Sequence, residues 1–508
     1  MLNVTNGQRS LLTGTVIMAT TMQALDATIA NVALPHMQGA LNAAQDQISW
    51  VVTSYVVAAA IGVALTSFLS ERFGRKRLYI ISVIGFTIAS VLCGIATSLP
   101  EIVGFRLLQG LCGAGLVPLG QSVMMDIYPR EKQGQAMAMW GMGVMVGPLI
   151  GPTLGGYLTE YYNWRWVFLI NVPFGALGAL GIAALLPREE QKPNHYFDMM
   201  GFAFLAIGIA SLQLMLDRGQ TQDWFESTEI VIETMIAVLG LYLFVVHIRT
   251  TERPFISSHP FRDINYIGGL IIMFLMGAVP LASMVLIPTM LQSVMGYPVL
   301  DAGWIMAPRG LGTMFAMFFM GRIGQKVDAR ALILIGLGVS VFALWQMTRF
   351  ALDSSATEIG ISGFIQGVGM GMLFVPVSSL AFATLERKYV TEAASVFTLV
   401  RNIGNSIGIS VVVSVLSRNV QTYHAVLTEH INPFSQSARA FADSLGALSP
   451  VAALSVIERE ISRQAAMAGY VDDFIAMAWV TAAVAPMVLF LRKPKQMPTA
   501  PEPAHAYE

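Results

Sequence analysis

Residues Gly143-Val-Met-Val-Gly-Pro-Leu-Ile-Gly-Pro-Thr-Leu-Gly-Gly156 carry no charge, repeat glycine every four positions (Gly143, Gly147, Gly151, Gly155), add Gly156, and hold prolines at Pro148 and Pro152. In water this run would make a poor helix, since glycine and proline carry the largest helix penalties. In a bilayer the backbone must satisfy itself, so the same run reads as a spanning helix whose small residues line one face for close approach to a neighbour. Each proline removes a backbone donor, so the helix should bend. A stripe of this kind needs a partner helix, and the fold that follows is a packed membrane bundle.

The rest of the chain agrees. Of 508 residues 55% are hydrophobic and only 12% charged, against about 25% charged in ordinary soluble domains. That apolar share fills about fourteen spans of roughly 20 residues. Uncharged or nearly uncharged runs occur at Leu11–Leu34, Ser49–Leu69, Leu78–Thr97, Glu101–Met124, Ala136–Leu158 and Trp164–Leu186. Two more follow at Met199–Leu216 and Ile230–His247. Six others lie at Gly268–Leu291, Ala302–Met320, Ala331–Met347, Ile359–Ala383, Ala394–Val415 and Phe474–Leu491. The expected fold is an all-α polytopic membrane protein with fourteen transmembrane helices.

An even number of spans puts both termini on one side, and every lysine (Lys76, Lys132, Lys192, Lys326, Lys388, Lys493, Lys495) then falls on that side. The positive-inside rule makes it cytoplasmic. Net charge of -1 argues against a nucleic-acid partner, and Cys93 and Cys112, both inside apolar runs, offer neither a disulfide framework nor a metal site. Phosphate-loop, dinucleotide and zinc-protease motifs are missing. No cofactor is expected.

A shift of 257 residues superposes Gln109-Gly110 on Gln366-Gly367, Ser122 on Ser379, Gly147 on Gly404 and Gly151 on Gly408. The stretch Ser67–Leu78 falls on Gly321–Leu332 at a shift of 254. The chain therefore divides into a six-helix half at 1–190, a two-helix hairpin at 191–262, and a second six-helix half at 263–508 with a periplasmic loop at about 416–473. Parallel repeats of this kind place a substrate site at the interface of the halves.

These motifs resemble the major facilitator superfamily, and within it the fourteen-span drug:proton antiporters. Leu25-Asp-Ala-Thr-Ile-Ala-Asn-Val-Ala-Leu-Pro35 is similar to that family's first-helix motif. Glu71-Arg-Phe-Gly-Arg-Lys76 resembles the superfamily loop between helices two and three, with Ser67 and Glu71 departing from its usual Gly and Asp. Arg106-Leu-Leu-Gln-Gly110 resembles the fourth-helix motif, and Gly143–Gly156 the fifth-helix motif that marks antiporters. Trp164-Arg-Trp-Val-Phe-Leu-Ile-Asn-Val-Pro173 and Leu216–Phe225 resemble a multidrug-efflux branch whose members work with a periplasmic adaptor and an outer-membrane channel. The resemblance implies the major facilitator fold, a Gram-negative inner membrane and proton-driven export of hydrophobic drugs, hence antibiotic resistance. Transport of one metabolite or siderophore, or a membrane-embedded transferase, remains open as an alternative.

Physical chemistry selects candidate sites within this frame. Asp26 and Arg106 lie at similar depth in the first and fourth spans, where a charge costs at least ~2.5–3.5 kcal/mol and normally meets a partner or a cavity. Burial raises a carboxyl pKa and a guanidinium lowers it, so the pair can load and release a proton. Glu71, Arg72, Gly74, Arg75 and Lys76 form a candidate cytoplasmic gate loop, and the glycine-proline helix a candidate moving interface. Arg309 and Arg401 are span cations without an acidic partner in sequence. Together with Gln23, Asn31, Gln109 and Gln121 they are candidate cavity residues. The Met-rich, aromatic composition suits a cavity accepting several hydrophobic shapes.

Overall fold

The computed structural model describes residues 5–129, 132–187, 197–252, 254–323, 327–386, 389–429 and 450–492. Among these it is helical, with no strand. The first group comprises α1 (Asn6–Ala40), α2 (Trp50–Phe73), α3 (Arg75–Ile95), α4 (Leu99–Gly113, resuming as Leu116–Ile127), α5 (Gln133–Tyr161) and α6 (Trp166–Leu169, resuming as Asn171–Leu185). A hairpin follows, α7 (Met199–Arg218) and α8 (Thr228–Thr250). The second group is α9 (Ile264–Thr289), α10 (Val299–Ile323), α11 (Ala329–Met347), α12 (Ala356–Ala383), α13 (Val390–Glu429) and α14 (Pro450–Val484). Twelve of the fourteen are long and apolar enough to cross a membrane. The exceptions are α1, interrupted by threonines, glutamines and Asp26, and α10, which carries Asp301, Arg309 and Arg322.

Local chemistry sets several helix ends. A reciprocal capping box starts α1, where the Gln8 N–H donates to Thr5 Oγ1 at 3.4 Å and the Thr5 N–H to Gln8 Oε1 at 3.2 Å. Ser355 and Glu358 start α12 in the same way, at 3.3 and 3.1 Å. Between α2 and α3 the expected loop shrinks to one residue, Gly74, at φ +81°. Only glycine adopts that conformation without strain.

The duplication is visible in the packing. In both groups the first helix packs on the fifth, the second on the fourth, and the third on the fourth and the sixth. A Cβ on Gly110 would stand 2.4 Å from the Tyr55 carbonyl oxygen, and one on Gly367 would stand 2.0 Å from that of Arg309. Gly367 follows Gly110 by the 257-residue shift and Arg309 follows Tyr55 by the 254-residue shift. The groups meet chiefly through α5 against α10 and α13 against α2. The hairpin leans on α2 and α13 through α7: the Thr53 hydroxyl donates to Asp217, and Ser406 Oγ donates to Gln213 at 2.8 Å.

One expectation fails. The segment at 416–473 is not a loop in its described part, because α13 runs unbroken to Glu429 and α14 already begins at Pro450. Forty residues at 1.5 Å each give α13 a length of about 60 Å, twice the ~30 Å hydrocarbon layer. The two helices leave the bundle paired, with His424 Nε2 and Glu458 Oε1 at 2.7 Å and the Tyr423 hydroxyl donating to Asp472 at 2.8 Å. Residues 430–449 fall outside the described part.

Candidate functional site

Asp26 and Arg106 are fully buried and paired, Arg106 Nη1 donating to Asp26 Oδ2 at 2.7 Å. The other carboxylate oxygen accepts from Gln109 Nε2 at 2.9 Å and from Asn171 Nδ2 at 2.8 Å. Gln109 comes from α4 one turn beyond Arg106, which explains why the two share a face. Asn171 opens the second segment of α6. Ser90 of α3 accepts from both amides, at 3.1 and 2.9 Å, and donates to the Phe168 carbonyl at 2.9 Å. Arg106 also donates Nε to the Val51 carbonyl at 3.1 Å, Nη1 to Gln109 Oε1 at 2.8 Å, and lies 4.1 Å from the Tyr55 ring centroid. Three donors and no acceptor face the carboxylate.

Gln109 is thus part of the charge network rather than a wall of the cavity. Asn171, Ser90 and Tyr55 are additions to the site. Asn171 stands as a lone polar residue in an apolar run, a signal of the same kind that marked Asp26, whereas Ser90 and Tyr55 look like ordinary span residues.

The glycine stripe of α5 lies against α1, the helix that carries Asp26. A Cβ on Gly147 would be 2.6 Å from the backbone joining Ala24 to Leu25, and one on Gly151 would be 2.3 Å from Thr28 Oγ1. Gly143 faces Ile17 and Gly155 faces Ile29, while the Thr21 hydroxyl donates to the Gly143 carbonyl at 2.8 Å. Gly156 departs from the expectation, with nothing within 4 Å of where its Cβ would be. It is the one glycine off the four-residue spacing. Pro148 and Pro152 lie inside α5. The opposite face of α5 meets α10, with Leu149 against Gly310, so one helix touches both the Asp26 helix and the other half.

In the second half Gln366 Nε2 donates to Ser283 Oγ at 3.1 Å, and these residues follow Gln109 and Asp26 by 257 positions. A hydroxyl stands where the first half has a carboxylate. The cation comes from a different helix: Arg309 of α10 donates to the Pro280 carbonyl at 2.6 Å and to Ser283 at 3.0 Å. Arg309 is therefore buried against α9 and does not line the cavity. Asn31 is exposed and Gln23 lies beside Tyr55, so neither lines it either.

Between the halves lies a narrow cavity too tight to admit a water molecule. It is lined by Gln121, Trp140, Met273, Phe374, Phe397, Thr398 and Arg401, contributed by α4, α5, α9, α12 and α13. Of the six candidate cavity residues, Gln121 and Arg401 are the ones placed here.

At the end of the bundle that carries Arg75, the charged cluster is a helix junction. Arg75 is buried and donates Nη1 to Asp126 at 2.5 Å and to Ser122 at 2.9 Å. Ser122 in turn is 3.1 Å from Thr391 Oγ1 of the second half. Asp126, on α4, is a carboxylate partner of Arg75. Arg72 lies 5.9 Å from the ring centroids of both Phe68 and Phe73. Glu71 and Arg72 close α2, and Arg75 and Lys76 open α3.

A duplicated helical bundle with an interfacial cavity and a buried charge pair defines a membrane transporter, and residues 16–409 match the Major Facilitator Superfamily, to which this chain belongs. It is similar to the multidrug export protein EmrB of Haemophilus influenzae, 34% identical with 94% of each chain covered. It is 35% identical to the fatty acid resistance protein FarB of Neisseria gonorrhoeae, with 94% of this chain and 95% of that one covered. Among solved structures, the proton:xylose symporter XylE shares the fold at TM-score 0.61 and 12% identity, over 96% of this chain and 100% of that one.

Proposed function

We propose that this protein is a proton-driven antiporter that exports hydrophobic drugs and toxic amphipaths by alternating access. The reading places it in a bacterial inner membrane with both termini cytoplasmic, as the membrane component of a tripartite system with a periplasmic adaptor and an outer-membrane channel. Its relatives' names, multidrug export and fatty acid resistance, support the substrate class. Transport, not catalysis, is the activity, and the proton gradient takes the place of a cofactor.

The observation that carries proton coupling is the buried Asp26 carboxylate, hydrogen-bonded by Arg106, Gln109 and Asn171. Neutralising it requires those donors to separate from it, and α1, its helix, is clamped to α5, which contacts the other half. A proton arriving at Asp26 releases Arg106 and shifts the balance between arrangements of the bundle. Asp26 lies toward the far end of α1, whereas the cavity residue Trp140 lies about seven residues, or ~10 Å, inside the near end of α5. Substrate and proton then occupy opposite depths joined by one helix.

The test uses inverted vesicles with an acidified lumen. Adding a hydrophobic drug should release luminal protons through the wild type and not through Asp26→Asn at equal expression. Release that persists in the variant would reduce Asp26 to a structural partner of Arg106.

A further inference from the structure

Asp26 is surrounded by donors, and Asp473 of α14 is its opposite. Asp473 is 1% exposed, yet neither of its carboxyl oxygens has a hydrogen-bond partner among the described residues. Its place on the helix explains the isolation. Tyr470 lies one turn before it and Met477 one turn after, both 3% exposed and part of the apolar core, so this face of α14 points inward. The neighbouring Asp472 turns to α13, where it accepts from the Tyr423 hydroxyl at 2.8 Å and from Asn419 Nδ2 at 3.4 Å. Both donors that α13 offers here are thus engaged by the adjacent acid. The chain just past α11, which also packs on α14, contributes Phe350, whose ring centroid is 6.1 Å from that of Phe474, and Arg349, which lies over the Trp345 ring at 4.0 Å. Arg463, further out on α14, donates to the Val294 carbonyl and to Glu460, each at 3.1 Å.

An ionised carboxylate buried with neither a cation nor a donor is among the costliest groups a protein can hold, and a group so placed takes up a proton instead. Ionising both Asp472 and Asp473 would also set like charges on adjacent residues. We propose that Asp473 is a second proton-binding site of the transporter, which holds a proton while α14 is packed as described and gives it to water when the face it occupies opens. In that step the acid O–H bond breaks, the proton passes to water and the electron pair stays on the carboxylate. The link to transport is α13. It carries Asn419 and Tyr423 against Asp472, lines the cavity through Arg401, about eighteen residues or ~27 Å from Asn419, and packs on α2 of the other half. A change in how the halves meet moves α13, and with it the packing around Asp473. The inference rests on the transport reading and adds a second acid, in the other half, to the one at Asp26.

The test takes infrared spectra of the purified full-length protein in nanodiscs at pH 7, where an ordinary carboxylate is ionised. The difference between wild type and Asp473→Asn should contain the carbonyl band of a neutral carboxylic acid, and Asp473→Glu should restore such a band at a shifted position. In proteoliposomes, the protons moved per molecule of rhodamine 6G should fall about two-fold in Asp473→Asn, the loss of one of two proton sites, while dye movement continues. A difference spectrum without a neutral-acid band overturns the proposal, and so does a band lost in Asp473→Asn with the proton count unchanged, which would make Asp473 a packing residue only. If Asp473→Asn fails to fold, the comparison of wild type with Asp473→Glu decides, and identical neutral-acid bands in the two overturn the proposal. The band is read without dye, so absence of dye-evoked proton movement in the wild type would count against the export reading while the spectrum still decides whether Asp473 holds a proton.

Discussion

Asn171 of α6 donates to the same carboxylate oxygen of Asp26 that Gln109 holds, at 2.8 Å, so three helices, α1, α4 and α6, meet on one fully buried acid. Asp26→Asn turns one of the two acceptor oxygens into a donor and leaves Arg106 buried without its counter-charge. Truncating one side of a buried pair costs roughly 3–5 kcal/mol. The double variant Asp26→Asn/Arg106→Gln should recover part of that cost, because no charge is left over. Thermal unfolding of the purified variants gives the comparison, and losses that simply add would mean the two groups are not coupled.

The stripe of α5 makes an internal control available. Gly147→Ala places a methyl 2.6 Å from the α1 backbone, which cannot rotate away, whereas Gly156→Ala meets nothing within 4 Å. The first should abolish most drug resistance in a susceptible host and lower thermal stability. The second should leave both near wild type, and equal damage from the two would sink the packing account.

Arg75 links Asp126 and Ser122, and Ser122 touches Thr391 of the other half. Asp126→Asn should therefore weaken closure at that end of the bundle. A single cysteine placed at Thr398, in a background without Cys93 and Cys112, should react several-fold faster with an aqueous thiol reagent when Asp126→Asn is present. An unchanged rate would show that this junction sets topology only.

Asp198 fastens the hairpin just outside the span. Burial pushes its carboxyl up, but the Gly201 N–H, the His247 ring and the Phe255 N–H together outweigh burial and hold it below the usual carboxylate range. A depressed folded-state value means the carboxylate contributes stability above the unfolded pKa, near 4, and loses it as pH falls through the lower folded value. The stability gap between wild type and Asp198→Asn should shrink as the pH falls below about 4. A gap that widens on acidification would reverse the assigned sign.

Sequence alone determined the bundle, because a membrane helix is specified locally: about twenty apolar residues must satisfy their own backbone wherever they sit. It also marked Asp26 and Arg106, since a charged residue in such a run stands out against its neighbours. The duplication, and with it the register that sets Gly110 on Tyr55 and Gly367 on Arg309, was legible as a shift between identical residues. Depth along a span is likewise a one-dimensional quantity, so the pairing of Asp26 with Arg106 could be expected. Which way a side chain faces is not one-dimensional, and it depends on helix rotation and on the partner across the contact. Gln109 turned into the charge network, Arg309 turned against α9, and only Gln121 and Arg401 reached the cavity. The polar stretch at 416–473 misled for a related reason: polarity marks departure from the bilayer, but whether a chain then loops or continues as a helix is decided by what it packs against. For α13 and α14 that partner is each other, through contacts such as Tyr423 with Asp472 that only the tertiary structure brings together.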